Sequence, residues 1–172
     1  MRSLSKFIAV LVVVVAFSAC KKSSTPAPDT TVTTTMTLTS NGTNLSFDDC
    51  EEVTASVNNV THTLIAGNSS TNKNASFTVD IVHDPSTLKA GQAYPVATSF
   101  EQADAATLFY SPNTGTNFNT QPANAQGSVT ISGVTATTIT GTFSGKLYAA
   151  DDFDAITVVY TVTNGAFTAK RN

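Results

Sequence analysis

The chain has 172 residues, of which only 12% are charged, and a formal net charge of −3. That size suits a single domain, and the charge balance excludes the basic face that phosphate neutralisation on a nucleic acid requires. The sequence holds two Cys, two His and no Trp, which leaves few residues for disulfides, metal ligation or broad stacking platforms.

The first predicted element is an export signal. Arg2 and Lys6 precede an unbroken apolar run, Phe7 to Phe17. The run fits a signal h-region and falls short of the about 20 residues a membrane-spanning helix needs. Ser18 and Ala19 follow, then Cys20. From the residues alone, Cys20 is the discarded end of a leader, a disulfide partner of Cys50, or the first mature residue; the rival to a cut before Cys20 is one after Ser18, with Ala16 and Ser18 as the small residues. The stretch "FSAC" resembles the lipobox of bacterial lipoproteins, with Phe17 where Leu is usual. That resemblance implies a cleaved lipoprotein signal peptide at 1–19 and, on Cys20, a thioether-linked diacylglycerol, with palmitate as an acyl chain. The partner it implies is the membrane, and Lys21 after the cysteine matches the sorting pattern of outer-membrane lipoproteins. Acylation of Cys20 leaves Cys50 unpaired in an oxidising compartment.

Residues 20–31 are rich in Ser, Thr and Pro and read as a tether, not as core-forming chain. From Lys21 to Thr31 it reaches at most roughly 35 Å. Within it Asp29-Thr30-Thr31 resembles the Asp-Ser/Thr-small O-glycosylation sequon of exported Bacteroidetes proteins, which makes Thr30 a candidate acceptor. In so Thr-rich a tether the triplet also arises easily by composition.

Residues 32–172 read as one β-domain. Apolar and hydroxyl residues alternate at Met36 and Leu38, at Phe77, Val79 and Ile81, and at Val129 and Ile131. The same period continues through Ile139, Gly141, Phe143, Gly145 and Leu147, and through Ile156, Val158, Tyr160 and Val162. Period two with one apolar side predicts antiparallel sheets with one solvated face. Asn41-Gly42, Asn58-Asn59, Gly133 and Asn164-Gly165 read as turns, the last as a hairpin between two strands. Gly141 and Gly145 read as a bend where a strand changes sheets. Residues 99–109 have room for one helical turn, and 111–126 read as a long polar loop. The expectation is all-β: an antiparallel β-sandwich or flattened barrel of about ten strands. "GSVTISGVTATTITGTFSGKLY" followed by "ITVVYTVTNGAFTAKR" resembles the ending of small uncharacterised lipoproteins of Bacteroidetes over residues 90–170 and implies fold and lineage, not an activity.

Candidate chemistry is sparse. His62 is in phase with Val60 and Leu64 and reads as a core or rim histidine; His83 reads as part of a turn before Pro85. Neither belongs to a metal-ligand pattern, and no metal or cofactor is expected. Asp48, Asp49, Glu51 and Glu52 flank Cys50 and, like Asp151, Asp152 and Asp154, form an acidic cluster without the spacing of a calcium loop. Carboxylates beside a thiol hold it protonated, so Cys50 is not expected to be a nucleophile. Tyr94, Phe100, Phe109, Tyr110 and Phe118 are candidate stacking residues, with Tyr110 and Phe118 beside the polar loop the best placed to face a ligand. The expected function is that of a lipid-anchored cell-envelope protein whose β-domain binds or supports an unknown partner, without catalysis. A carbohydrate-binding module is the first alternative, and an envelope enzyme using the acidic clusters the second.

Overall fold

A computed structural model describes residues 32–57, 60–84, 88–99, 102–120, 125–150 and 157–172. Ten strands run in chain order: β1 (Thr35–Ser40), β2 (Thr43–Val57), β3 (Val60–Asn68), β4 (Ser76–His83), β5 (Ala93–Pro95), β6 (Ala105–Asn113), β7 (Thr116–Asn119), β8 (Gly127–Val134), β9 (Thr138–Ala149) and β10 (Tyr160–Arg171). Eight of them close a barrel in the order β1, β2, β3, β4, β6, β7, β9, β10 and back to β1. Of the two expected architectures the barrel is the one formed. Closure removes the free strand edges that an open sheet exposes. Val32–Asn172 forms one compact unit. The signal-peptide and tether assignments at 1–19 and 20–31 lie outside the described residues.

Two places in the ring change their strand content along the barrel. β1 lies between β2 and β10, pairing antiparallel with both. Beyond its first residue β10 and β2 meet directly, in parallel, at Lys170 opposite Glu51 and Arg171 opposite Glu52. On the far side, β7 bridges β6 and β9 at one end only, through Phe118 opposite Tyr110 and Ala149. Toward the other end β8 takes over the same edge of β9, and β5 pairs with β8. A bridge from Val96 to Ala106 and a hydrogen bond from Ala97 N to Ala106 O carry the connection to β6. Thr120 sits at the fork: its N donates to Leu108 O at 3.0 Å, and its Oγ1 accepts from Leu108 N at 3.1 Å.

Inward residues fill the barrel. Phe77 lies 5.2 Å from Phe143, 6.0 Å from Phe47 and 5.9 Å from Tyr110, ring centre to ring centre. Met36, Leu38, Ile65, Val79, Ile81, Leu108, Ile139 and Leu147 complete the packing. Each fully buried side chain of this size contributes about 1.5–3 kcal/mol relative to exposure. Eight strands enclose little space, so large rings need small neighbours. Gly141 provides it for Phe167, Gly145 for Leu108, and Gly165 for Phe143: a Cβ at these positions would stand 2.5, 2.9 and 2.6 Å from those side chains. The inward placement expected for Gly141 and Gly145 is therefore observed. They do not mark a change of sheet, because β9 runs unbroken through both.

Several local expectations are corrected. Asn164-Gly165 is not a hairpin: β10 continues through it, with a bulge where Val162 faces Gly145 and Gly165 faces Phe143. Asn tolerates the positive φ of a turn and of a bulge alike, here 52°, so the dipeptide cannot tell them apart. Gly133 likewise lies within β8, at a bulge. Residues 105–109 are strand, not helix, and 111–119 form the end of β6, a turn and β7. In β7 only Phe118 packs against the core, which is too little pattern to announce a strand. Asn41-Gly42 does form the predicted hairpin turn, with φ of 47° and 81°.

Asn41 also ties that turn to the ring. Its N donates to Thr161 O at 3.1 Å, its Nδ2 to Val159 O at 2.8 Å, and its Oδ1 accepts from Thr161 N at 2.8 Å. Replacing Asn41→Ala removes both side-chain bonds and leaves the backbone one. The expected loss is about 1–3 kcal/mol, read as a lower urea midpoint with an unchanged m-value.

Candidate functional site

The structure separates the predicted site residues between the two ends of the barrel. At the end of the β1–β2, β3–β4 and β6–β7 turns, it brings Tyr110 and Phe118 together around a third ring, Tyr160. Tyr160 lies 5.2 Å from Tyr110 and 4.8 Å from Phe118, both edge to face. Edge-to-face pairs of this kind contribute about 0.5–1.5 kcal/mol beyond burial. Tyr110 is 8% exposed, so most of its ring is spent on the core. Burial, and then the neighbouring Tyr160 hydroxyl, push the Tyr110 phenol above its ordinary range. Among the other candidate aromatics, Tyr94 is buried at the opposite end, Phe109 points outward from β6 at 38% exposure, and Phe100 is outside the described residues.

At the opposite end two polar groupings enter the barrel wall. In the first, a bulge in β2 between Asp48 and Glu51 splits the acidic cluster. Asp49 takes a φ of 53° and faces solvent with Glu51, while Glu52 turns inward and is 4% exposed. Its Oε2 accepts from Arg171 Nε at 2.6 Å and its Oε1 from Thr54 Oγ1 at 3.1 Å. Arg171 Nη1 also donates to Thr135 O at 2.9 Å, which joins the C-terminal strand to the β8–β9 turn. Glu52 belongs to an acidic cluster weighed for an envelope enzyme, and nothing in the sequence links it to Arg171. Only the parallel contact of β2 and β10 makes them a pair.

In the second, His83 Nδ1 lies 2.7 Å from Asp84 O, a carbonyl that can only accept, so this nitrogen carries the proton in the neutral ring. His83 Nε2 then accepts from Thr63 Oγ1 at 2.8 Å. A hydroxyl donating to an oriented histidine is the geometry of an activated nucleophile. Here Thr63 has no exposed surface and His83 is 4% exposed, so no substrate atom reaches the hydroxyl in this conformation. The pair holds β3 to β4. His62 corrects the other histidine expectation. It shares a face with Val60 and Leu64, as read, but that face is the outer one, since Thr63, Ile65 and Gly67 point inward. His62 Nδ1 meets the Asp80 carboxylate at 3.1 Å. Among the described residues no group of three or more His, Cys, Asp or Glu converges to hold a metal ion.

Cys50 is fully buried beside the β2 bulge, and its Sγ occupies the space that a side chain at position 67 would need. Burial, followed by Asp48 and Asp49, pushes its thiol up to about 12 from 9.0. Cys20, Thr30 and the acidic residues Asp151, Asp152 and Asp154 lie outside the described residues. On the outer wall, Ser128, Thr130, Thr142, Ser144, Asn164 and Ala166 line a shallow depression of about 370 Å³ without a charged side chain. It lies on one registered row that continues from Thr130 through Thr142, Ala166 and Thr37 to Ser46.

Two outcomes are expected. Arg171→Ala strands a buried carboxylate and costs roughly 3 kcal/mol, and the double change Arg171→Met with Glu52→Leu recovers much of that in the same denaturation assay. For Cys50, the folded state resists ionisation, so the unfolded chain releases the thiol proton first as pH rises. Stability is retained below pH 9 and falls toward pH 12 by up to about 1.4 kcal/mol per pH unit, and Cys50→Ala flattens that part of the stability curve. No known protein family, curated protein or solved structure matches this chain.

Proposed function

We propose that this chain is a lipid-anchored cell-envelope protein, held at the outer membrane through Cys20, whose barrel binds or supports a partner in the envelope. The observation that carries the reading is the order of segments: a basic start, a short apolar run, Ser18-Ala19-Cys20, a Ser/Thr/Pro-rich stretch, and then a β-domain. More than one acyl chain on a single cysteine is needed for stable anchoring, because each buried methylene contributes about 0.8 kcal/mol.

The barrel adds two supports for a role in binding rather than in enclosing a small molecule. Its interior is occupied by side chains, with Phe77, Phe143, Phe47 and Tyr110 at the centre. Its outer wall over β8, β9, β10 and β1 presents hydroxyls with few charges, a surface suited to a neutral partner. The chain enters β1 at Thr35, opposite Thr168 and Asp48, the end that holds Glu52 and Arg171. The turns at 41–42, 69–75 and 114–115 lie at the other end, furthest from that entry.

Metabolic labelling with radioactive palmitate tests the anchor. The full-length chain is expected to carry label and partition into detergent, and Cys20→Ala to lose both. Label retained in Cys20→Ala overturns the proposal.

A further inference from the structure

Two Asn-Gly dipeptides lie in the barrel, Asn41-Gly42 in the β1–β2 turn and Asn164-Gly165 in the β10 bulge. In this dipeptide the following backbone nitrogen has open access to the side-chain carbonyl carbon, because glycine has no Cβ in the way. What differs is the hold on the two carboxamides. Asn41 is fixed at both ends of its amide, by Val159 O and Thr161 N, each at 2.8 Å. Asn164 is exposed, and among the described residues nothing hydrogen-bonds its carboxamide.

We propose that Asn164 is a site of spontaneous deamidation and that the fold protects Asn41 from the same reaction. The Gly165 nitrogen attacks Asn164 Cγ, the Cγ–Nδ2 bond breaks, and the amide proton passes through water to the departing nitrogen, which leaves as ammonia. The resulting succinimide takes up one water at either carbonyl and opens to aspartate or isoaspartate. No oxidant or reductant takes part; the net change is –NH₂ to –OH.

The bulge makes this dipeptide hard to avoid. A Cβ at Gly165 would stand 2.5 Å from Phe143 O, so position 165 requires glycine. Position 164 has a φ of 52°, which favours Asn among residues with side chains. The product places a carboxylate at the edge of the depression lined by Ser128, Thr130, Thr142 and Ser144, which otherwise holds no charge. The isoaspartate form also adds a main-chain methylene immediately before a residue with no room to move.

The purified full chain, incubated at mildly alkaline pH and mapped by peptide mass spectrometry, tests the assignment. The peptide containing Asn164 is expected to gain the mass of the –NH₂ to –OH exchange, with isoaspartate present. Breaking two hydrogen bonds of ordinary strength makes Asn41 slower by roughly one to two orders of magnitude. In urea, where no fold holds either side chain, the two rates are expected to converge, and Asn164→Gln is expected to abolish the change at that site. Equal rates in the folded chain, a faster Asn41, or conversion at Asn164 only after unfolding would each overturn the proposal.

Discussion

The limited volume inside eight strands governs this structure. Phe47, Phe77, Tyr110, Phe143 and Phe167 are large for so narrow a barrel; Phe167 and Phe143 have room because there is no side chain at Gly141 and Gly165, as Leu108 has beside Gly145. Gly67 provides the same clearance for Phe47 and Cys50. Close packing is the rule for protein interiors, and here side chains occupy the inside of the barrel. A filled interior leaves the outer wall and the two ends as the barrel's accessible surfaces.

Closure places distinct loads at the two ends. Near the turns, Asn41 stitches the β1–β2 hairpin to β10, and Tyr160 seats itself between Tyr110 and Phe118. At the other end Arg171 reaches both Glu52 and Thr135, where β1 no longer separates β2 from β10. Thr63, His83 and Glu52 are polar groups that the ring encloses, and each is hydrogen-bonded there. Buried polar groups stay only when hydrogen-bonded, and these are.

Legibility in the sequence followed the burial pattern of each strand. β8 and β9 have one strictly apolar face, β4 has one from Phe77 to Ile81 before His83, and Phe77, Val79, Ile81, Val129, Ile131 and Phe143 point inward as their period indicates. β3 misled because its outer face carries Val60 and Leu64 while its inner face needs Thr63 and Gly67, one for His83 and one for Cys50 and the Phe47 Cβ. β7 was invisible because it is short and mostly polar. Asn164-Gly165 was read as a hairpin because local backbone preference is the same in a turn and in a bulge; only the continuous partner strands β9 and β1 distinguish them.

By itself the sequence determined the all-β class, most strand positions, the lack of a basic face and the layout that points to Cys20. These follow from composition and from contacts between near neighbours. The tertiary structure alone decided that the sheet closes into a barrel instead of a sandwich, that Glu52 pairs with Arg171, and that of two identical dipeptides the Asn41 carboxamide is held while among the described residues that of Asn164 is not. Each of those depends on residues more than a hundred positions apart meeting across the ring, and strand periodicity carries no information about which strands become neighbours.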